Sequence, residues 1–216
     1  MEPITFESDG RRLVGVLEVP EGEPRGAVVI VHGWGGCRIG PHRILVQVAR
    51  DLAASGLAAL RFDISGRGDS QGEPLATDLD MMIADVRGAV AWLRERTPGV
   101  PVGLLGMCSG GNVALASAAL EPDVDAVVAW STYPFQEQRS ARQDARHTGH
   151  RLKVYARKLF RAATWKKLLR GRINFKMVRR AILGKDKAQE GDRNLQKSRR
   201  DVLGPLSQYG GQLLMV

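Results

Sequence analysis

The chain has 216 residues, a formal net charge of +9 and two cysteines. This length fits one α/β domain with an inserted segment and allows a full hydrophobic core. Two cysteines make no disulfide framework, and no apolar run reaches the roughly 18 residues of a membrane span. The first ten residues show no secretory signal pattern, so we expect a reducing, cytoplasmic location.

The positive charge is concentrated in one stretch. Residues 136–200 hold 21 Lys and Arg against five Asp and Glu, whereas the rest of the chain is acidic. Within this stretch Leu152, Tyr155 and Leu159 fall on one face of a predicted helix. We therefore predict a basic helical insertion packed over the strand ends of an acidic core, and an independent basic arm is the alternative.

The remaining sequence alternates between strand and helix patterns. The predicted strands are 4–7, 13–19, 27–31, 57–62, 102–105, 124–130 and 210–216, and the predicted helices are 44–55, 78–96 and a segment that opens at Ser109 or Gly110. Asp9-Gly10 favours a two-residue hairpin between the first two strands, and Thr77 is expected to cap the second helix. The alternation predicts an α/β fold with a parallel, doubly wound sheet. Its parts are the core over 1–133, the basic helical lid over 134–200, and a return to the core over 201–216 with incomplete last strands.

The predicted site is organised around residues 102–115, which read as a buried strand, a tight turn and a helix. Gly106 and Gly110 stand two residues before and after Cys108, as a strand-to-helix elbow requires, because a side chain there would strike neighbouring backbone. The central residue of such an elbow is held outward beside the positive end of a helix. That place favours a negatively charged sulfur and suits a nucleophile. Cys108 is therefore the predicted nucleophile.

Two other interpretations of this stretch are disfavoured. With Ser109 at the centre, Met107 would occupy a position that needs glycine, whereas Cys108 at the centre has glycine on both sides. The second alternative is a phosphate-binding turn beside an inert, buried Cys108. The residues do not spell G-x-G-x-x-G, and no Lys-Ser or Lys-Thr pair follows them.

Two more motifs precede the elbow. His32-Gly-Trp-Gly-Gly36 follows the strand at 27–31, and Asp63-Ile-Ser-Gly-Arg-Gly-Asp-Ser70 follows the strand at 57–62. With these three motifs in order, residues 1–133 resemble the α/β-hydrolases, and the basic segment stands where such enzymes carry a lid. The Gly-x-Cys-x-Gly-Gly pattern resembles the thiol variant seen in dienelactone hydrolases. Residues 165–174 show a more distant similarity to hydrolases associated with exosortase systems.

The resemblance implies a mostly parallel α/β-hydrolase sheet and a role for each residue. The backbone N–H groups of Trp34 and Ser109 would form an oxyanion hole, since two donors aimed in advance can hold a developing negative charge. The site-shaping residues would be His32, Gly33, Gly106 and Gly110. Asp63 and Ser70 would brace their loop. The implied reaction is cleavage of an ester or thioester of a small acyl substrate through a covalent acyl-enzyme on Cys108, which needs no metal or organic cofactor.

The family takes its acid and histidine after the nucleophile, in that order. The four histidines are His32, His42, His147 and His150, and none follows the elbow in the expected position. We therefore expect a truncated chain that is inactive or nearly so, with both missing partners beyond Val216. The alternative is that His147 or His150 acts as a substitute base.

A second class of function stays open at this point. It is a non-catalytic protein with the hydrolase fold, whose basic lid binds an anionic membrane surface or nucleic acid. Lys and Arg interleaved with Leu, Phe and Trp suit peripheral contact with a membrane better than nucleic acid, which is disfavoured. The simplest interpretation of the charge is a solvated outer face of the lid.

Overall fold

The computed structural model describes residues 1–120, 124–132 and 203–216. Its strands are β1 (Glu2–Ser8), β2 (Arg11–Glu18), β3 (Gly26–Val31), β4 (Leu57–Phe62), β5 (Val102–Met107), β6 (Ala126–Trp130) and β7 (Gln212–Met215). Its helices are α1 (Ile44–Ala54), α2 (Leu79–Arg96), α3 (Ser109–Leu120) and α4 (Leu203–Leu206), and a 3₁₀ turn over Pro41–Arg43 precedes α1. The predicted basic lid, residues 134–200, lies outside the described residues.

The strands form a seven-stranded sheet in the order β1-β2-β4-β3-β5-β6-β7. β1 and β2 are antiparallel and join through Asp9 and Gly10, which both have positive φ, at 45° and 74°. This is the predicted two-residue hairpin, and positive φ at both positions matches the right-handed twist of the strands. β2 is also antiparallel to β4, whereas β4, β3, β5, β6 and β7 run parallel. The predicted mostly parallel sheet is therefore confirmed.

The hydrophobic core surrounds the central strands β3 and β5. On one face, Leu45 and Ala49 of α1 pack with Ile30 of β3 and Ala59 of β4. Helices α2 and α3 pack on each other and on β3. The apolar stripe of α2 is buried throughout and comprises Leu79, Ile83, Val86, Val90 and Leu93. Because the core holds both central strands in place, the loops at their carboxyl ends start from fixed points.

The start of α2 differs from the prediction. Asp78, not Thr77, caps the helix, since its carboxylate accepts a hydrogen bond from the Met81 N–H at 2.9 Å. Thr77 is fully buried, and its hydroxyl donates to the carbonyl oxygen of Ser65 at 2.9 Å. Both residue types cap helices well. Thr77 does not cap the helix because its hydroxyl donates to the buried Ser65 carbonyl. This contact depends on tertiary structure.

The last predicted strand is present as β7, which lies parallel to β6. Its apolar sequence predicts a buried strand, and that part of the prediction is wrong, because β7 is an edge strand and Leu213, Leu214 and Met215 are exposed. A backbone hydrogen bond from the Ser131 N–H to the Val216 carbonyl, at 2.7 Å, continues the pairing past the strand ends. None of the described helices combines the length and the apolar character needed to cross a membrane.

Candidate active site

A sharp elbow joins β5 to α3, with Cys108 at its centre. Cys108 is exposed and has a positive φ of 56°. A Cβ added at Gly106 would lie 2.5 Å from the Cα of Gly111, and one added at Gly110 would lie 2.5 Å from the carbonyl oxygen of His32. Both glycines are therefore required by close approach of backbone to backbone, as their spacing predicts.

Backbone hydrogen bonds fix the register of the elbow. The Cys108 N–H donates to the Trp130 carbonyl at 2.9 Å, and the Cys108 carbonyl accepts from the Gly111 N–H at 2.9 Å. Ser109 is already the first residue of α3. The residue held at the strained position is thus Cys108, and the alternative with Ser109 at the centre does not fit this geometry.

The bend after β3 is built around His32, which is 1% exposed. Its Nδ1 donates to the Gly33 carbonyl at 2.8 Å, and its Nε2 accepts from the Ile64 N–H at 3.1 Å. Only a neutral ring can make both bonds, because Nε2 must keep its lone pair. Burial lowers the pKa of His32, against the bond to Gly33 and the negative charge of Asp63. Both ring nitrogens are occupied, so this geometry supports a shaping role for His32.

The state of His32 leads to a pH dependence of stability. Its folded pKa lies below the unfolded value of about 6.5, so the unfolded chain binds the proton more readily. The contribution of the neutral ring is complete above that pH and is lost as the pH falls toward the folded pKa. We expect the free energy of unfolding of the parent to drop more steeply below pH 6.5 than that of His32→Asn, by at most about 1.4 kcal/mol per pH unit. Urea unfolding at several pH values tests this, and parallel curves would contradict it.

Trp34 is held at both of its backbone groups. Its N–H donates to the side-chain oxygen of Ser109 at 2.7 Å, and its carbonyl accepts from Arg67 Nε at 2.6 Å. The Arg67 guanidinium also lies over the Trp34 indole, 4.5 Å from the ring centroid, within the range of a cation–π contact. The peptide that carries the predicted Trp34 donor is therefore fixed in orientation and points at the start of α3.

A cleft of about 530 Å³ opens between the bend and the elbow. Its lining includes five predicted site residues, namely His32, Gly33, Trp34, Cys108 and Ser109. Gly106 and Gly110 do not line it but allow its walls to approach each other. Sequence reasoning does not reveal two features of this cleft: the hydrogen bond accepted by the Ser109 hydroxyl, and the position of Cys37 in the lining. The cleft has the size of small-molecule sites in proteins.

The loop after β4 contacts the loop that lines this cleft. At the centre of the loop after β4 is Asp63, which is fully buried. The Asp63 carboxylate accepts from the backbone N–H groups of Arg38 at 2.6 Å and Asp69 at 3.0 Å, and it also pairs with the Arg38 guanidinium. Ser70 donates its hydroxyl to the Asp63 carbonyl at 2.6 Å. These contacts suit the predicted bracing roles of Asp63 and Ser70.

Within the described ranges, the histidines are His32, with both nitrogens bonded to backbone, and His42, which is exposed on the 3₁₀ turn. The same ranges hold no group of three or more side chains suited to binding a metal ion. His147 and His150 lie outside the described residues. The described part of the cleft thus presents a thiol and backbone donors.

The chain is similar in sequence to known proteins. The family model described as "Serine aminopeptidase, S33" matches residues 22–195. Human monoglyceride lipase is 31% identical over 121 residues, which is 56% of this chain and 39% of the lipase. The chain spans between 24% and 39% of the length of the curated relatives it matches.

Solved structures extend the likeness to the fold. An esterase from Pyrococcus furiosus superposes with a TM-score of 0.65 at 19% identity, over 99% of this chain and 69% of the esterase. A dienelactone hydrolase from Anabaena variabilis has a TM-score of 0.53 at 30% identity, over 62% of this chain and 63% of the hydrolase. Because the family model covers more than half of the sequence and the fold is that of the superposed hydrolases, the chain belongs to the serine aminopeptidase S33 family of α/β-hydrolases.

Proposed function

We propose that the protein is an ester or thioester hydrolase in which Cys108 is the nucleophile and forms a covalent acyl-enzyme. The observation that carries this proposal is the exposed Cys108 at positive φ on the elbow, beside a cleft lined by the bend that follows β3. The human relative is named a monoglyceride lipase, which supports an ester as substrate. The structure named dienelactone hydrolase supports the resemblance to the thiol variant of the family.

In the proposed step, the Cys108 thiolate attacks the carbonyl carbon of the substrate. A carbon–sulfur bond forms, and the π electrons of the carbonyl move onto its oxygen as an oxyanion. Collapse of this intermediate restores the carbonyl and breaks the bond to the leaving group, which departs as an alkoxide or thiolate. Cys108 is left as a thioester. The Ser109 N–H, at the first residue of α3, lies next to the developing charge.

Hydrolysis of that thioester needs an activated water. Of the two described histidines, His32 is committed to backbone groups and His42 is exposed on the 3₁₀ turn. We propose that the chain forms the acyl-enzyme faster than it hydrolyses it, so that the thioester accumulates. A small acyl substrate is the proposed partner, and peripheral membrane contact through residues 134–200 stays a prediction.

The test is to mix the 216-residue chain with p-nitrophenyl acetate and follow the release of p-nitrophenolate. We expect a burst of about one p-nitrophenolate per chain, followed by a slow phase, as accumulation of an acyl-enzyme requires. Peptide mass mapping should place the acetyl group on Cys108. Cys108→Ala should remove the burst.

Cys37 provides a matched control, because it lines the same cleft but stands in the loop after β3. Cys37→Ala should keep the burst and the acetyl group on Cys108. A burst that survives in Cys108→Ala and is lost in Cys37→Ala would show that Cys37, and not Cys108, is the nucleophile. If the parent released no p-nitrophenolate and carried no acetyl group on Cys108, the acyl-enzyme would be overturned and a non-catalytic protein favoured.

A further inference from the structure

The Ser109 hydroxyl lines the cleft and binds one of the two N–H groups expected to form the oxyanion hole. The hydroxyl oxygen accepts the hydrogen bond of the Trp34 N–H at 2.7 Å, across 75 residues of sequence. Three covalent bonds keep that oxygen close to the Ser109 backbone nitrogen. One of the two N–H groups expected in the oxyanion hole, that of Trp34, therefore binds a hydroxyl of the protein itself, and the second belongs to the same residue as that hydroxyl.

Among the described residues, nothing accepts the hydroxyl proton of Ser109. Ser109 is half-buried and lines the cleft beside Cys108. A hydroxyl that accepts one hydrogen bond becomes a stronger donor, because hydrogen bonds in a chain polarise one another.

We propose that the Ser109 hydroxyl is a catalytic oxyanion donor, which acts together with the backbone N–H of the same residue. The Trp34 N–H then serves indirectly, by orienting and polarising the hydroxyl. This inference rests on the proposed acylation of Cys108 and names a side chain where backbone groups alone were expected. The hydroxyl donates a hydrogen bond to the carbonyl oxygen of an acyl group bound at the elbow.

Two reactions of the same thiol separate this role from a structural one. Acylation by p-nitrophenyl acetate passes through an oxyanion. Alkylation by iodoacetamide does not, since the sulfur displaces iodide from carbon directly. A substitution that only disturbs Cys108 slows both reactions, whereas loss of an oxyanion donor slows acylation alone.

The experiment compares both rates in the 216-residue parent and in Ser109→Ala. Removing one oxyanion donor costs about 10²–10³ in rate, and the freed Trp34 N–H can replace part of the loss, so we expect acylation to slow at least about tenfold. Alkylation should stay within about twofold of the parent, because it forms no oxyanion. Ser109→Thr keeps the hydroxyl and should restore most of the acylation rate.

Ser117→Ala is the matched control. Ser117 lies in the same helix, is fully buried, and has a side-chain oxygen with no partner among the described residues, so both rates should match the parent. Equal or faster acylation in Ser109→Ala, with alkylation unchanged, would show that the hydroxyl merely blocks the Trp34 N–H and would overturn the inference alone. Absence of Cys108 acylation in the parent would instead overturn the proposed function, and this inference with it.

Discussion

Replacing Gly110 with alanine is expected to destabilise the protein by roughly 3 kcal/mol or more, at the upper end of overpacking effects. The added Cβ would lie 2.5 Å from the His32 carbonyl oxygen and 2.8 Å from the His32 carbonyl carbon. Both contacts are with backbone, so rotation of a side chain cannot relieve them. The strand β3 or the start of α3 must shift, and the cleft opens with it. Urea unfolding measures the loss of stability. The rate at which iodoacetamide labels Cys108 reports whether the elbow has changed its conformation.

Gly35→Ala is the control for this prediction. Gly35 lies in the bend after β3, which Gly110 contacts from the elbow, and a Cβ added at Gly35 meets no atom within 4 Å. Its substitution should change the free energy of unfolding by no more than about 0.5 kcal/mol, as for other exposed positions. If Gly110→Ala proved as stable as Gly35→Ala, the close packing of the elbow against the bend would be incorrect.

Replacing Asp63 with alanine should cost about 3–5 kcal/mol, which is the range for breaking one half of a buried ion pair. The substitution leaves the Arg38 guanidinium without its buried partner and removes the acceptor of two backbone N–H groups. Arg38 follows Cys37 directly, so the wall of the cleft should loosen as well. Thermal or urea unfolding gives the energy.

Asp69→Ala separates this effect from a general loss of charge. Asp69 pairs with the same guanidinium, but its side chain is 67% exposed. Exposed ion pairs contribute about 0–1 kcal/mol, and the Asp69 N–H that bonds to Asp63 is kept in this variant. Similar losses in Asp63→Ala and Asp69→Ala would contradict the view that the buried carboxylate holds the loop.

Much of the site is predictable from local sequence, because its main constraints are local. The spacing of Gly106 and Gly110 around Cys108 indicates the elbow and its register, and the structure places both glycines against backbone. The strand ahead of His32 and the glycines after it indicate the bend. In each case the residues that permit the turn and the turn itself lie in the same short stretch of sequence.

The features that sequence did not reveal are contacts between distant segments. The hydrogen bond between Trp34 and the Ser109 hydroxyl depends on how two loops meet and on a side-chain rotamer, neither of which adjacency in sequence determines. The stacking of Arg67 on Trp34 is of the same kind. Thr77 fails as a cap for a similar reason, because the buried Ser65 carbonyl takes its hydroxyl.

The parallel pairing of β3 with β5 also has a consequence for how the chain folds. Ala27 faces Val102 and Val31 faces Gly106, so each wall of the cleft arrives with a strand that is far from the other in sequence. Long-range parallel pairing closes large loops before any contact compensates for the lost chain entropy, and it is therefore slow. The bend follows β3 and the elbow follows β5, so the pairing of these two strands brings the bend and the elbow together. During refolding, we expect the Trp34 amide to become protected from exchange together with the pairing of β3 and β5, and a pulsed amide-exchange measurement at Trp34 would follow that step.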